Sequence, residues 1–190
     1  MNLRLNRRTT RSTGIAAVAA ALLITAGAAG SATASGTWEG KGPREAAALT
    51  GTAKLYRPAG DDITFTFDAH LAAKDNTHPE NATGTFRFSH YKGDWGGYAV
   101  AQVDCLATGG KVAVVTGRII ETDVAQFKGA RVGVSVNDLG THDRLGYSWL
   151  TQDPQKGDVP KCQTAPPFEK VKEGTGDFHV LPWILDYPTQ

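Results

Sequence analysis

The chain has 190 residues, with 20 Lys and Arg against 19 Asp and Glu and a formal net charge of +1. Four of the basic residues, Arg4, Arg7, Arg8 and Arg11, fall in an acid-free stretch of 34 residues at the start, and beyond it 16 basic residues face 19 acidic ones. That balance excludes a strongly basic nucleic-acid binder, and no apolar run beyond the first 34 residues approaches the roughly 20 residues of a membrane-spanning helix.

Residues 1–34 have the parts of a secretory signal peptide. The four arginines form a positive n-region, Ile15 to Ala29 is apolar and rich in Ala, and Ala32-Thr33-Ala34 fits the small-residue cleavage pattern, so the mature chain is expected to start at Ser35. Arg7-Arg8 lacks the apolar follow-on of a twin-arginine signal, because Thr9 and Thr10 come next. The expected localisation is extracellular, with no membrane attachment after cleavage. The remainder divides into an N-terminal extension (35–45), one β domain (46–181) and a C-terminal tail (182–190).

Ala46 to Leu49 begins like a short helix that Thr50, Gly51 and Thr52 end. From there the pattern has period 2. Ile63, Phe65, Phe67, Ala69 and Leu71 alternate with Thr64, Thr66, Asp68 and His70, which predicts a half-buried strand. The segment from Asp75 to Asn81 reads as a solvated connection to the next strand, Thr83 to Lys92, which carries Phe86 and Phe88. Tyr98 to Leu106 is the third clear strand and Lys111 to Asp123 the fourth. In that fourth strand Val112, Val114 and Ile120 occupy one face and Ala113, Val115 and Ile119 the other, so burial on both sides is expected. Ala130 to Asn137 alternates Val132, Val134 and Val136 with Arg131, Gly133 and Ser135. Leu145, Tyr147 and Trp149 mark a further strand, with Trp149 in the core, and Asp177 to Leu181 the last. Gly-rich turns at Lys92–Gly97, Gly109-Gly110 and Asn137–Gly140 join them. Short strands, such turns and no convincing amphipathic helix predict a single-domain, all-β, antiparallel β-sandwich or β-barrel of about seven to nine strands.

Cys105 and Cys162 are the two cysteines. In an oxidising compartment they predict one disulfide, from Cys105 on the apolar face with Ala101 and Val103 to Cys162 in the Pro-rich loop Val159–Pro167. Closing that loop stabilises by roughly 4 kcal/mol on the chain-entropy model. Their separation does not fit a metal site.

Val103-Asp-Cys-Leu-Ala107, Gly110 to Arg118, Arg131 to Gly140, Asp143 and Ser148-Trp149 together resemble a family of small exported actinobacterial proteins, some of which carry the label repetin. The resemblance implies an all-β secreted domain and carries over no catalytic residues.

Candidate chemistry is sparse. Asp138, His142 and Asp143 lie within six residues between two strands, as oxygen ligands of a cation or as turn residues bonding their own backbone. Trp95, in a turn with Gly93, Gly96 and Gly97, suits stacking on a sugar ring or a partner if it is exposed. His70 and His90 are placed to face each other across neighbouring strands on the polar side. Ser89 and His90 point to opposite faces and form no dyad. No catalytic residue, metal site or cofactor is assigned. The leading expectation is a secreted, non-catalytic binding module that recognises an extracellular protein or glycan through loops on a rigid scaffold, with Trp95, Asp138, His142 and Asp143 as contact residues. The alternatives are a secreted hydrolase using strand-borne carboxylates such as Asp68 and Asp104, whose spacing would set its chemistry, and an extracellular protease inhibitor.

Overall fold

The computed structural model describes residues 45–150 and 159–184. The signal peptide, nearly all of the N-terminal extension with Trp38, and most of the C-terminal tail lie outside them. Within them the alternating segments become nine strands: β1 (Glu45–Lys54), β2 (Asp62–Ala72), β3 (Thr83–Lys92), β4 (Trp95–Gly109), β5 (Val112–Thr122), β6 (Arg131–Asn137), β7 (Arg144–Tyr147), β8 (Glu169–Lys170) and β9 (Asp177–Leu181). All neighbours are antiparallel, in the order β8-β7-β6-β5-β4-β3-β2-β1-β9. The architecture is thus one all-β sheet curled into a half-barrel, and not two packed sheets.

The inner face carries the core. Leu49, Phe65, Phe86, Val115, Val134 and Phe178 are among its fully buried side chains. Burying each such residue stabilises by about 1.5–3 kcal/mol relative to leaving it in water. Antiparallel neighbours are joined by tight turns where the residues allow it. Gly93-Asp94 closes the β3–β4 hairpin with Lys92 opposite Trp95, and Gly93 has φ 58°, the first-position left-handed conformation of a type II′ turn.

Four expectations are corrected. The segment from Ala46 is no helix start but β1, hydrogen-bonded on both edges, to β2 and to β9. Its inner Ala47, Leu49 and Ala53 have period 2, hidden because Ala48 on the outer side is apolar as well and Ala46, at a register shift, also packs against the core. Strand β5 is covered on both sides only at its middle: Ala113, Val115 and Ile119 are buried on the inner face and Thr116 on the outer, whereas Val112 and Ile120 are exposed. The strand around Tyr147 stops there, and Trp149 enters a 3₁₀ turn (Ser148–Leu150) that lays its ring against the core. Trp95 is the first residue of β4 and not part of the turn itself.

Cys105 is also displaced. Val103 pairs with Gly117 but Cys105 with Thr116, so β4 bulges at Asp104. A bulge inserts one residue and reverses the alternation beyond it. Cys105 therefore leaves the side of Ala101 and Val103 for the outer face, while Leu106 takes the core. There it is joined to Cys162, with Cα atoms 5.5 Å apart. Residues 159–168 consequently run as a strap over the outer face. The Cys162 N–H donates to Thr116 Oγ1 at 3.2 Å and Ser135 Oγ donates to the Ala165 carbonyl at 2.6 Å. Asp104, at the bulge, accepts from Thr116 Oγ1 and Arg131 Nε, each at 2.7 Å.

The two edges of the curled sheet are tied by few bonds. Leu55, just past β1, bridges Val171, just past β8. Tyr56 N–H donates to the Lys170 carbonyl and Lys172 N–H to the Lys54 carbonyl, each at 2.8 Å. Arg57 joins the seam by an ion pair with Glu169 at 2.6 Å and a hydrogen bond to the Tyr147 hydroxyl at 3.1 Å. Along β9 the outward N–H groups of Phe178 and Val180 find no strand; they are met by the carboxylates of Asp143 and Asp138.

Candidate functional site

At the end of the half-barrel where the β3–β4 hairpin projects, the inner face opens into a cavity of about 410 Å³. Alternation puts Phe65 of β2, Phe88 of β3 and Ala99 of β4 on its floor. Tyr147 and Trp149 arrive from the end of β7, and Val124, Gln126 and Phe127 from the β5–β6 connection. The rings are packed on one another: Phe88 and Trp149 have centroids 4.7 Å apart, Tyr147 and Trp149 4.5 Å, and Phe65 and Phe88 6.0 Å.

The hairpin extends this inner face past the end of the core. In the pairing, Phe88 faces Ala99, His90 faces Gly97 and Lys92 faces Trp95, all of the same parity. Trp95 and His90 therefore stand on the rim above the cavity, with rings edge to face at 5.4 Å. Trp95 is 68% exposed. Gly97 lets the β5–β6 connection approach, because a Cβ there would lie 2.7 Å from Asp123 Oδ1 and 2.8 Å from Val124 Cγ2. Thr122 and Asp123 fix that connection: the Val124 N–H donates to Thr122 Oγ1 at 3.0 Å, and the Tyr98 N–H to Asp123 Oδ1 at 2.8 Å.

Among the described lining residues there is no Asp, Glu, Lys or Arg. Burial pushes the Tyr147 hydroxyl above its ordinary pKa, against the opposing pull of Arg57, so the ring stays neutral at working pH. Charges just outside the lining are engaged: Arg57 with Glu169, Asp61 with Lys92, and Asp123 with the Tyr98 N–H.

The acidic turn lies at the other end of the sheet, since β5 starts beside the end of β6 and finishes beside Trp95's end of β4. Its carboxylates face backbone. Asp143 is 1% exposed, and its Oδ1 accepts the Leu139 N–H at 2.7 Å and its Oδ2 the Phe178 N–H at 2.9 Å. Asp138 Oδ2 accepts the Val180 N–H at 3.1 Å and Lys111 Nζ at 3.2 Å, and Oδ1 accepts the Gly140 N–H at 3.3 Å. Burial raises the Asp143 pKa, reinforced by Asp177, against the two N–H groups that favour the charge. For Asp138 burial acts in the same sense, but the Val180 N–H, Lys111 and the Gly140 N–H outweigh it and hold the pKa below the ordinary carboxylate range. His142 is exposed, with Nε2 3.3 Å from Glu173 and Nδ1 2.9 Å from Thr141 Oγ1. The structure thus groups Asp138 and Asp143 in one seam and sets Trp95 apart from them.

His70 and His90 do not face each other: His70 pairs with Thr83 and His90 with Ile63, at opposite ends of the β2–β3 ladder. Asp68 and Asp104 lie on the outer face, and neither lines the cavity. Among the described residues no group of three or more His, Cys, Asp or Glu is arranged to hold a metal, and no helix is long and apolar enough to cross a membrane.

The cavity's own walls escaped sequence reasoning. Phe65 and Phe88 read only as core alternation, Trp149 as core, and Phe127 and Gln126 gave no periodic signal. The available clue was the gathering of aromatic residues near strand ends that share one end of the sheet. Comparison with protein-family models, with curated proteins and with solved structures gives no match.

Proposed function

We propose that this chain is a secreted, non-catalytic binding module whose ligand enters the aromatic mouth beneath the β3–β4 hairpin. The observation that carries this reading is the cavity of about 410 Å³ with Trp95 standing 68% exposed on its rim. A volume of that order is typical of small-molecule sites, which are concave and mostly apolar with few polar groups. An exposed Trp at the lip of a preformed hollow is a costly arrangement for a purely structural turn, and it offers a large, rigid contact face to a ligand. The disulfide between Cys105 and Cys162 fits an oxidising, extracellular setting, as does the signal-like N-terminus, and the resemblance to exported actinobacterial proteins points the same way.

The test is native mass spectrometry of the protein recovered from culture medium, compared with the same sample denatured. A bound small molecule that is retained by the parent and lost from Trp95→Ala and from the cavity-filling Ala99→Leu, with both variants folded, is the expected result. A parent that never carries or takes up a small molecule, or one whose ligand is indifferent to both substitutions, overturns the reading. Recovery from the medium with Ser35 at the N-terminus checks the secretion part separately.

A further inference from the structure

Resting on that binding reading, we infer that the ligand is an uncharged, ring-bearing small molecule, its apolar body seated among Phe65, Phe88 and Trp149 and a single hydrogen-bonding group left at the rim beside His90 and Gln126. Three observations narrow the class this far.

The first is charge. With no Asp, Glu, Lys or Arg among the described lining residues and the one imidazole, His90, at the rim, a charged ligand seated in the body of the cavity would lose its hydration with no counter-ion beside it. That penalty amounts to several kcal/mol even after relaxation. Of the guanidinium groups that touch lining residues, Arg57 is 2.6 Å from Glu169 and donates to Tyr147, and Arg87 lies over the Tyr98 ring at 4.7 Å, and neither is itself in the lining.

The second is the distribution of polar groups. A saccharide presents hydroxyls around its whole edge and needs partners for each one it buries, since an unpaired buried polar group costs about 1–3 kcal/mol. Here the deep wall is mostly rings and aliphatic carbon, with the buried hydroxyls of Ser89 and Tyr147 as its few polar points. Thr122 is already engaged, donating to the Tyr98 carbonyl at 2.7 Å and accepting from Val124. The Tyr147 hydroxyl accepts from Arg57, and the polar side chains at the rim are the exposed Gln126 and His90, whose loose contact to Asp61 is 3.4 Å.

The third is shape. Phe88, Trp149 and Tyr147 form one stack, with centroids 4.7 and 4.5 Å apart and interplanar angles of 27° and 32°, so the wall they form is a rigid block of aromatic ring. The Trp95 and His90 ring planes meet at 86°, and the indole is 68% exposed, so much of it is open to a guest. A flat-ringed guest gains offset-stacked or edge-to-face contacts with such walls beyond its area burial.

A matched pair of dyes tests the inference. N-phenyl-naphthylamine is neutral, and anilinonaphthalene sulfonate is the same ring skeleton with one added negative charge. The expected result is saturable binding of the neutral dye, one per chain, with energy transfer from tryptophan and at least ten-fold weaker binding of the sulfonate. Trp95→Ala should weaken the neutral dye roughly five-fold, and Ala99→Leu should abolish its binding while thermal melting shows the variant folded. Equal binding of both dyes overturns the uncharged class and leaves the binding module standing. Failure of both dyes, together with Trp95-dependent capture of a soluble oligosaccharide, overturns the ring-bearing class and again leaves the module. Failure of every probe, and a parent that carries no small molecule in native mass spectrometry, overturns both.

Discussion

Two Gly- and Asp-rich turns look equivalent in the sequence, and the fold uses them in opposite ways. The hairpin at Gly93-Asp94 needs nothing beyond itself: a glycine in the left-handed region closes it, and Trp95, just inside β4, stays in water. The turn from Asp138 to Asp143 has its two carboxylates buried as acceptors for β9, an edge strand whose outer N–H groups have no strand to pair with. The difference lies in where each turn falls on the curled sheet. A turn at the open mouth projects into solvent, whereas one at the seam between the sheet's edges must satisfy backbone groups, and an ionised carboxylate accepting N–H bonds is a strong way to do so. Acidity in a turn therefore does not by itself mark a binding site, and the position of the turn relative to the sheet's free edge decides.

The comparison predicts its largest effect at Asp143. Asp143→Ala removes both acceptors of the Leu139 and Phe178 N–H groups and leaves the Phe178 N–H with only a 3.1 Å contact to Asp177. A loss of about 3 kcal/mol is expected, read by urea denaturation at neutral pH. A loss below 0.5 kcal/mol would mean that β9 is not held through this carboxylate. Asp138→Ala should cost less, about 2 kcal/mol, because Asp138 lies nearer solvent where water can replace part of what is lost; Lys111, 3.2 Å away, is itself largely exposed. In both variants the neutral dye should bind the folded fraction unchanged, which separates seam from mouth.

The acid pair also splits by pH. The Asp138 pKa is held down in the folded protein, so its contribution is present above the unfolded carboxylate value of about 3.9 and is lost as pH falls through the lower folded value. For Asp143 the folded pKa is raised, by burial first and then by Asp177. The protonation-linked part of its stabilisation has the opposite sign, complete below the unfolded value and lost as pH rises through the folded one, whereas the N–H bonds that Asp143→Ala removes are present at neutral pH. Removing the Asp177 charge relieves Asp143 at neutral pH. Asp177→Asn, whose amide oxygen can still accept the Phe178 N–H, should stabilise by up to about 1 kcal/mol at pH 7 and have no effect near pH 2. Equal effects at both pH values would show that the two carboxylates do not interact.

What the residues revealed in advance follows from which forces leave a periodic trace. Alternation at Ile63–Leu71 and Val132–Val136 exposed the strands because the two faces meet different solvents. At Ala46–Leu49 it failed, since alanine is tolerated on either face. The single extra residue at Asp104 leaves no mark on composition, yet it moves Cys105 to the outer face; the disulfide was legible from cysteine count and compartment, but its side of the sheet was not. The mouth was half legible. Trp95 stood out because glycines surround it, but Phe88 of β3, Phe127 of the β5–β6 connection, and Tyr147 and Trp149 at the end of β7 converge only through the curl of the sheet. Asp138 and Asp143 drew attention for their acidity, and what they accept from, the β9 backbone, depends on a pairing some 40 residues further along the chain.

The smallest effect expected on stability is at Trp95, and it is the sharpest probe of the contrast. With 68% of its surface in water and a single edge-to-face contact to His90, its removal should change stability by no more than about 0.5 kcal/mol, as for surface positions generally. The Gly93-Asp94 turn and the Lys92–Trp95 backbone pairing do not depend on the indole. On the proposed reading, a side chain that contributes so little to folding, on the lip of a hollow whose described lining holds no Asp, Glu, Lys or Arg, acts through what it contacts from outside. Thermal melting of Trp95→Ala beside the parent, followed by titration of both with the neutral dye, reads the two quantities on the same samples. Unchanged melting with weakened binding assigns the hairpin to recognition. A drop in melting temperature of 5 °C or more, equivalent to over about 1 kcal/mol for a domain of this size, would instead make Trp95 a cap on the core and give both turns the same structural role.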